Sequence, residues 1–186
     1  MDITSFLETQ KFSTEDAAHL GRAFKKEVFP KGYKLLDVNN LSKKVYFVES
    51  GLLRSYYFKE EKDITHFFFT ENALYMNIES IFYNKPSLYG LEVLEKCSVY
   101  SLKLLDIEKY FDKYPLLEKM ARILLIDLLH SVSERLYAMQ FQSALDRYQS
   151  MLDNYPNIIL RASLGNIASY LGITQQTLSV IRAAKP

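Results

Sequence analysis

The sequence is poor in cysteine and has no long apolar run, and both absences narrow the class of protein. Its single cysteine, Cys97, excludes an intramolecular disulfide framework and any cluster site that needs four thiolates from one chain. No segment approaches the ~18 consecutive apolar residues of a membrane-spanning helix, and the first thirty residues lack the apolar core of a signal peptide. We therefore expect a soluble, cytoplasmic protein with no membrane partner.

The chain also lacks an excess of either charge, with 23 basic residues, 22 acidic residues and a net charge of +1. No global field attracts a nucleic acid, so an anionic partner must be bound by a local patch. The hydrophobic content of 48% is enough to bury a core in one or two compact domains.

Residues suited to catalysis do not cluster. The three histidines, His19, His66 and His130, fall in separate predicted elements, whereas a metal site normally combines two or three histidines with a carboxylate. No Ser/His/Asp arrangement, glycine-rich phosphate loop or paired-carboxylate motif rises above chance. The sequence therefore predicts no enzyme and no cofactor, with haem or metal binding through His66 and Cys97 as the minor alternative.

The N-terminal part begins with a helical pattern and then becomes β-like. Ser13, with Asp16 three residues later, predicts the start of a helix that continues to the break at Pro30 and Gly32. From about residue 33 to 103 the chain has five short aromatic and β-branched runs: KVYFVES, LLRSYYF, ITHFFF, LEVLE and SVYSLKL. Turn-forming residues separate these runs, among them Asn39 and Gly51. The pattern predicts an antiparallel barrel or jelly roll of roughly 70 residues.

A long helix follows the barrel. Asp106 is a candidate cap for the short helix IEKYFDKY, and Pro115 suits the first turn of a helix that runs to about residue 140. Apolar residues cover nearly its whole circumference between residues 123 and 129, so the helix needs cover on two sides. We expect the barrel on one side and the same helix of a second subunit on the other, with a monomeric bundle as the alternative.

The C-terminal part has the spacing of a helix-turn-helix unit. After a helix that begins at Ser143 and stops before Pro156, the segment IASYLGITQQTLSVIR places a small residue, Ala168, four positions before a turn glycine, Gly172. Ser163 and Thr174 are the predicted caps of its two helices. The residues expected to lock the helices together are apolar: Ile167, Leu171, Ile173, Leu178 and Ile181.

The whole chain resembles the cyclic-AMP receptor protein and fumarate-nitrate regulator (CRP/FNR) family. The resemblance covers essentially all 186 residues and lies in FPKGYKLL, VYFVESGLLRSYYF, the long helix and the C-terminal unit, with RYQSMLDNYP and IASYLGIT closest to the Bacteroidetes type. It implies an α+β fold with a cyclic-nucleotide-binding-like jelly-roll barrel (1–114), a dimerisation helix (115–142) and a winged-helix-like helix-turn-helix domain (143–186). It also implies a homodimeric transcription regulator that binds double-stranded DNA, with a small-molecule effector and RNA polymerase as further partners.

The barrel departs from the family pattern where cyclic nucleotides bind. Cyclic-nucleotide-binding members carry a Gly-Glu pair and then an Arg-Ser pair, whose arginine holds the phosphate; Met76-Asn77 and Ser87-Leu88 stand at these positions here. Because a buried phosphate needs a counter-charge, we expect no binding of cyclic AMP. The candidate ligand residues are Met76, Asn77, Glu79, Ser87, Leu88 and Tyr89. The aromatic residues around them, including Phe67, Phe68, Phe69, Tyr75 and Tyr83, suit an apolar ligand or simply fill the barrel.

The outward face of the second helix predicts an unusual DNA contact. The family commonly has Arg, Glu and Arg where this chain has Gln175, Gln176 and Val180, which favours A·T pairs over guanines. The basic residues of the segment are Arg161, Arg182 and Lys185. The candidate DNA-binding residues are Ser163, Thr174, Gln175, Gln176, Thr177, Ser179, Val180 and Arg182. The candidate dimer residues are Leu117, Met120, Leu124, Leu128 and Val132. The alternative function is a ligand-sensing or protein-interaction barrel dimer with a vestigial DNA-binding domain.

Overall fold

The computed structural model describes residues 1–104 and 107–183. The predicted cap Asp106 and the basic residue Lys185 lie outside these residues. The strands are β1 (Lys25–Phe29), β2 (Lys34–Leu36), β3 (Lys44–Ser50), β4 (Leu53–Lys59), β5 (Lys62–Phe69), β6 (Leu74–Met76), β7 (Gly90–Val93) and β8 (Cys97–Lys103). The helices are α1 (Ile3–Thr9), α2 (Thr14–Gly21), α3 (Ile78–Phe82), α4 (Ile107–Lys113), α5 (Pro115–Phe141), α6 (Ala144–Asn154), α7 (Ile158–Arg161), α8 (Leu164–Leu171) and α9 (Gln175–Ala183).

The strands form two antiparallel four-stranded sheets, ordered β1-β8-β3-β6 and β2-β7-β4-β5. The five runs predicted from the sequence are β3, β4, β5, β7 and β8, so the barrel prediction is confirmed. Alternating residues of both sheets point into a shared core, which includes Leu53, Leu91, Val93 and Val99. This arrangement follows from the period of two along each strand, which puts every second side chain on the inner face.

The first predicted helix is shorter in the structure than the sequence predicts. Ser13 does cap α2, since its hydroxyl accepts a hydrogen bond from the Asp16 amide, but the helix ends at Gly21. Residues Lys25–Phe29 form strand β1 instead, in register with β8 from Lys25 opposite Ser101 to Phe29 opposite Cys97. The continuous backbone ladder with β8 outweighs the helical preference of the lysines and the glutamate, because local propensity is weaker than tertiary pairing.

Helix α5 is the longest element and stands apart from the barrel core. It begins with Pro115 in its first turn, as predicted, and continues for 27 residues without a single buried side chain. Many of its apolar residues are exposed, for example Leu129 at 67% and Leu136 at 59%. None of the described helices combines the length and apolar character needed to cross a membrane.

The C-terminal helices α6 to α9 pack into one core that also contacts the barrel. The predicted start of α6 is confirmed, because Ser143 and Asp146 form a reciprocal capping box. The buried residues of this core include Met151, Ile158 and Leu178, together with Leu52 and Phe68 from the barrel. Phe68 is buried against the rings of Tyr155 and Tyr170 on the outer side of β5. It therefore does not line the inside of the barrel, as the sequence had suggested.

Candidate functional site

The turn between α8 and α9 has the geometry that the sequence predicts. Gly172 ends α8 in the left-handed conformation at φ +67°, which glycine adopts without steric cost. Ile167, Ala168, Leu171 and Leu178 are all at most 2% exposed, and Ile173 and Ile181 pack against them. The helix-turn-helix geometry is therefore present, and it holds α9 in a fixed position on α8.

The outer face of α9 is free. Gln175, Gln176, Ser179 and Arg182 are exposed, and Val180 is 64% exposed. Leu178 is fully buried in the core that α9 shares with α8. Buried and exposed positions thus follow the helical period, which leaves one stripe of α9 open to solvent.

Hydroxyl groups in this unit are committed to local backbone contacts. Ser163 accepts a hydrogen bond from the Asn166 amide at 3.1 Å, and Thr174 accepts one from the Thr177 amide at 3.0 Å. Ser179 donates to the Gln175 carbonyl at 3.0 Å. Ser163 and Thr174 therefore define the first turns of α8 and α9, as N-capping residues do. The glutamine side chains and Arg182 make no such contact among the described residues.

Fewer positive charges are free on the surface of the C-terminal helices than the sequence suggests. Arg161 is bound by Glu71 and Glu95 of the barrel, with N···O distances of 2.7 and 2.6 Å. Arg147 donates to the carbonyls of Leu171 and Gln142. Arg182 is thus the exposed cation that remains on α9. The expected role of Arg161 as a phosphate-binding residue is not available while these ion pairs persist.

A cavity of about 830 Å³ separates the barrel from α5. Its walls are mostly apolar and come from α1, α2, α3, β5, β6 and α5, with Phe67, Phe69 and Met76 on the barrel side. The charged side chains on its described wall are Glu79, Glu118 and Arg122. The lining therefore carries two acids and one base, which favours an uncharged occupant over an anion.

Four of the six predicted ligand residues, Met76, Asn77, Glu79 and Tyr89, line this cavity. Ser87 is fully buried behind the wall, where it accepts a hydrogen bond of 2.6 Å from the Asn77 amide and donates one of 2.7 Å to the Tyr89 carbonyl. Leu88 is 62% exposed and lies outside the lining. Asn77 and Ser87 thus connect α3 to the loop before β7.

Two titratable side chains of the cavity have unusual surroundings. Tyr75 is buried, and its hydroxyl has no hydrogen-bond partner among the described residues. Burial raises the pKa of Tyr75 above its ordinary value. The ring of His66 is stacked on Tyr89 with the centroids 4.4 Å apart. Burial, with a smaller contribution from the charge of Arg135, lowers the pKa of His66 from 6.5 to about 4. Both side chains are therefore uncharged at neutral pH.

The thiol of Cys97 is enclosed in the barrel. It is fully buried, donates to the Leu52 carbonyl at 3.4 Å, and has its pKa raised to about 11 by burial. A protonated thiol is a poor metal ligand. In residues 1–104 and 107–183, no three His, Cys, Asp or Glu side chains lie close enough to hold a metal ion.

The predicted dimer residues all lie along the face of α5 that lines the cavity. Leu117 and Met120 are half-buried against the N-terminal core, and Leu124 is also half-buried on the cavity side. Leu128 and Val132 are 39% and 43% exposed. A more continuous exposed row has alternating spacings of four and three residues. We call it the α5 seam: Leu125, Leu129, Val132, Leu136 and Met139. This row has a coiled-coil spacing that the sequence interpretation missed, although heptad counting would have found it. Its first three residues also lie at the edge of the cavity.

No family model matches the chain, and no curated protein matches it in sequence. Solved structures do match in fold. A CooA variant from Carboxydothermus hydrogenoformans superposes with a TM-score of 0.73 at 19% identity, covering 98% of this chain and 83% of that one. FixK2 from Bradyrhizobium japonicum gives 0.70 at 19% identity, with 86% and 83% covered. The c-di-GMP-responsive global regulator CLP from Xanthomonas campestris gives 0.71 at 12% identity, with 92% and 90% covered. The chain therefore shares the fold of these proteins, an α+β arrangement of jelly-roll barrel, long helix and C-terminal helix-turn-helix unit.

Proposed function

We propose that this protein is a homodimeric transcription regulator that binds double-stranded DNA through α9. We also propose that it is a member of the CRP/FNR family, of the Bacteroidetes type. The observation that carries the proposal is the outer face of α9, where Gln175, Gln176 and Val180 are exposed while Leu178 fixes the helix on α8. The fold shared with a global regulator supports it. RNA polymerase is the partner on which such a regulator would act.

Base recognition is assigned to the two glutamines. A glutamine side chain pairs with two atoms of an adenine edge, and the apolar Val180 can contact a thymine methyl group. We therefore infer an operator rich in A·T pairs at the positions that α9 contacts. Each good pair of this kind discriminates against the wrong base by about 1–3 kcal/mol.

The test is selection of duplexes from a random pool, followed by affinity measurements at several salt concentrations. The full-length protein should bind selected duplexes at least about tenfold more tightly than random ones. The double variant Gln175→Ala/Gln176→Ala should lose most of that preference. The matched control is Gln149→Ala, which removes an exposed glutamine from α6. Binding that responds to neither salt nor sequence would refute the proposal and favour a ligand-sensing barrel dimer with a vestigial DNA-binding domain.

The dimer is assigned to the α5 seam. Its apolar residues repeat at the heptad spacing of a coiled coil, and they are exposed in the single chain. A two-fold axis parallel to α5 would bury the same residues of both copies against each other. It would also present two α9 helices to successive major grooves, about one helical turn apart.

The barrel is proposed to sense a molecule other than a cyclic nucleotide. Asn77 and Ser87 bind each other where a phosphate-binding arginine would be needed, and the nearby charge is the carboxylate of Glu79. The unpartnered hydroxyl of Tyr75 favours a ligand that has a hydrogen-bond acceptor within a largely apolar body. Calorimetric titration with cyclic AMP and with c-di-GMP should give no saturable binding at micromolar concentrations. Saturable binding of either nucleotide would overturn this assignment.

A further inference from the structure

Arg161, at the end of α7, joins the C-terminal helices to the barrel through four hydrogen bonds. Its Nη2 and Nη1 atoms donate to the two carboxylate oxygens of Glu71 at 2.7 and 3.1 Å. Its Nε and Nη2 atoms donate to one oxygen of Glu95 at 3.1 and 2.6 Å. A forked arrangement on two carboxylates is the geometry in which arginine is held most firmly.

The Glu71 carboxylate is itself held by the barrel. Glu71 follows strand β5, and its Oε1 atom accepts a hydrogen bond of 2.9 Å from the Gly51 amide. Glu95 lies in the turn between β7 and β8. Although burial opposes the charged form, the hydrogen bonds from Arg161 lower the pKa of Glu71 below its ordinary value. The Glu71 side chain is therefore ionised at neutral pH, and the formal charges of Arg161, Glu71 and Glu95 sum to −1.

Arg161 lies next to the part of the helix-turn-helix unit that would approach the DNA backbone. It is two residues before Ser163, the cap of α8. A Cβ atom placed on Gly165, in the first turn of α8, would lie 3.2 Å from the Gln175 side-chain nitrogen at the start of α9. The N-terminal ends of both helices therefore lie close together, and Arg161 directly precedes α8 in the chain. In helix-turn-helix proteins this region is where the first helix crosses the phosphate backbone.

Its ion pairs with Glu71 and Glu95 keep Arg161 from contacting a DNA phosphate. Phosphate contacts supply most of the affinity of such proteins for DNA, and each contact needs a free cation. In the described part of the C-terminal helices, Arg147 and Arg161 are bound to protein oxygens, whereas Arg182 is exposed. Because Glu71 and Glu95 are paired with Arg161, a phosphate that approached this group would meet a net negative charge.

We propose that Glu71 and Glu95 form an autoinhibitory contact that competes with the DNA phosphate backbone for Arg161. The proposal rests on the proposed DNA-binding function and concerns its regulation. In the arrangement seen here the protein binds DNA weakly, and any change that withdraws the two carboxylates makes Arg161 available. The barrel thus acts on the DNA-binding surface directly, through a contact between residues 66 and 90 positions apart in the sequence.

The test uses the double variant Glu71→Gln/Glu95→Gln in the full-length protein. The amides keep the size of both side chains, and they leave the apolar contact around Phe68 in place. Binding to a 30-base-pair duplex, at about 100 mM salt, should become about fivefold to tenfold tighter. The slope of log affinity against log salt should steepen by about one unit per subunit. The triple variant that adds Arg161→Ala should lose both gains.

The matched control is Glu60→Gln/Glu61→Gln, which removes two carboxylates from the turn between β4 and β5. It changes the net charge of the protein by the same amount at a distance from Arg161. If this control tightens binding as much as the test variant, or if the triple variant keeps the gain, general charge explains the result and the proposal is wrong. Unchanged affinity of the Glu71/Glu95 variant would also overturn it.

A second measurement reports on the contact without DNA. The Nε–H group of Arg161 is hydrogen-bonded to Glu95. NMR should therefore show slow exchange of this proton with water in the wild type and rapid exchange in the Glu71/Glu95 variant. Arg161→Lys identifies the signal. If no variant binds any duplex while this signal changes as expected, the ion pairs exist and the DNA-binding function itself fails. If the Nε proton exchanges with water equally fast in both proteins, the proposed autoinhibitory contact is wrong.

Discussion

Arg135 on α5 lies over the ring of Tyr170 on α8, with its guanidinium carbon 4.2 Å from the ring centre. Its Nη2 atom also donates a hydrogen bond of 2.9 Å to the Tyr170 carbonyl. The same guanidinium lies 5.5 Å from the ring centre of Phe67 in strand β5. One side chain therefore connects the long helix, the helix-turn-helix unit and the barrel.

Replacing Arg135 should weaken this three-part contact. A lysine keeps the charge but lacks the flat, forked guanidinium, so Arg135→Lys should lower the free energy of unfolding by about 1 kcal/mol. Arg135→Ala also loses the hydrogen bond and should cost about 2 kcal/mol. Urea titrations followed by circular dichroism measure both values. Equal stability of the lysine variant and the wild type would contradict the proposed importance of the planar contact.

The depressed pKa of His66 predicts a loss of stability in mild acid. Between pH 6.5 and about 4 the unfolded chain binds a proton that the folded protein does not, so the free energy of unfolding decreases as the pH falls through this window. Since the ring is partly exposed, solvent screening limits the loss to about 1–2 kcal/mol. His66→Phe keeps a ring against Tyr89 and should show a flatter pH profile. If the free energies of unfolding of the two proteins depended on pH in the same way, the lowered pKa of His66 would be contradicted.

Gly172 should be intolerant of a side chain. At φ +67° an alanine adopts a strained backbone, and its Cβ would lie 2.7 Å from the end of the Met139 side chain. Because methionine can move, most of the cost is backbone strain, and Gly172→Ala should destabilise the protein by about 1 kcal/mol. Gly165→Ala is the control within α8, where alanine favours the helix and should be neutral or stabilising. The changes in the free energy of unfolding that the two substitutions cause should therefore differ in sign or by at least about 1 kcal/mol.

Val180 is the position at which DNA affinity should be easiest to gain. Val180→Arg places a cation on the exposed stripe of α9, where it should raise the affinity for duplex DNA about tenfold and steepen the salt dependence. Phe58→Arg adds the same charge to an exposed apolar position on the barrel and should have little effect. Fluorescence anisotropy with a labelled duplex measures both variants. If neither variant changes the affinity, α9 does not enter the groove.

The α5 seam should control the oligomeric state. Leu129 is 67% exposed in the single chain, and Leu129→Glu would place a charge in the proposed dimer interface. The variant should be monomeric at micromolar concentrations, because an unpaired charge is costly to bury. Leu160→Glu makes the same change at an even more exposed leucine of α7 and should leave the dimer intact. Analytical ultracentrifugation distinguishes the two species, and a monomeric wild type would show that the dimer proposal is wrong.

Local sequence patterns predicted the elements whose signals lie within a few residues. The caps Ser13 and Ser143, the Pro115 start of α5, the turn at Gly172 and strands β3, β4, β5, β7 and β8 belong to this class. Strand β1 was missed because its pairing with β8 joins residues more than 60 positions apart. The direction of Phe68 was also missed, although the alternation of Phe67, Phe68 and Phe69 along a strand places the middle ring on the opposite face.

The sequence by itself determined the helix-turn-helix unit and its unusual outer face, since helical period, capping and a left-handed glycine are local properties of the chain. Only the tertiary structure decided which charges remain free. In the sequence Arg161 counts toward the positive charge of the C-terminal segment, whereas in the folded protein it pairs with Glu71 and Glu95. Charged side chains pair with whatever the fold brings within about 4 Å, and no local pattern encodes that distance.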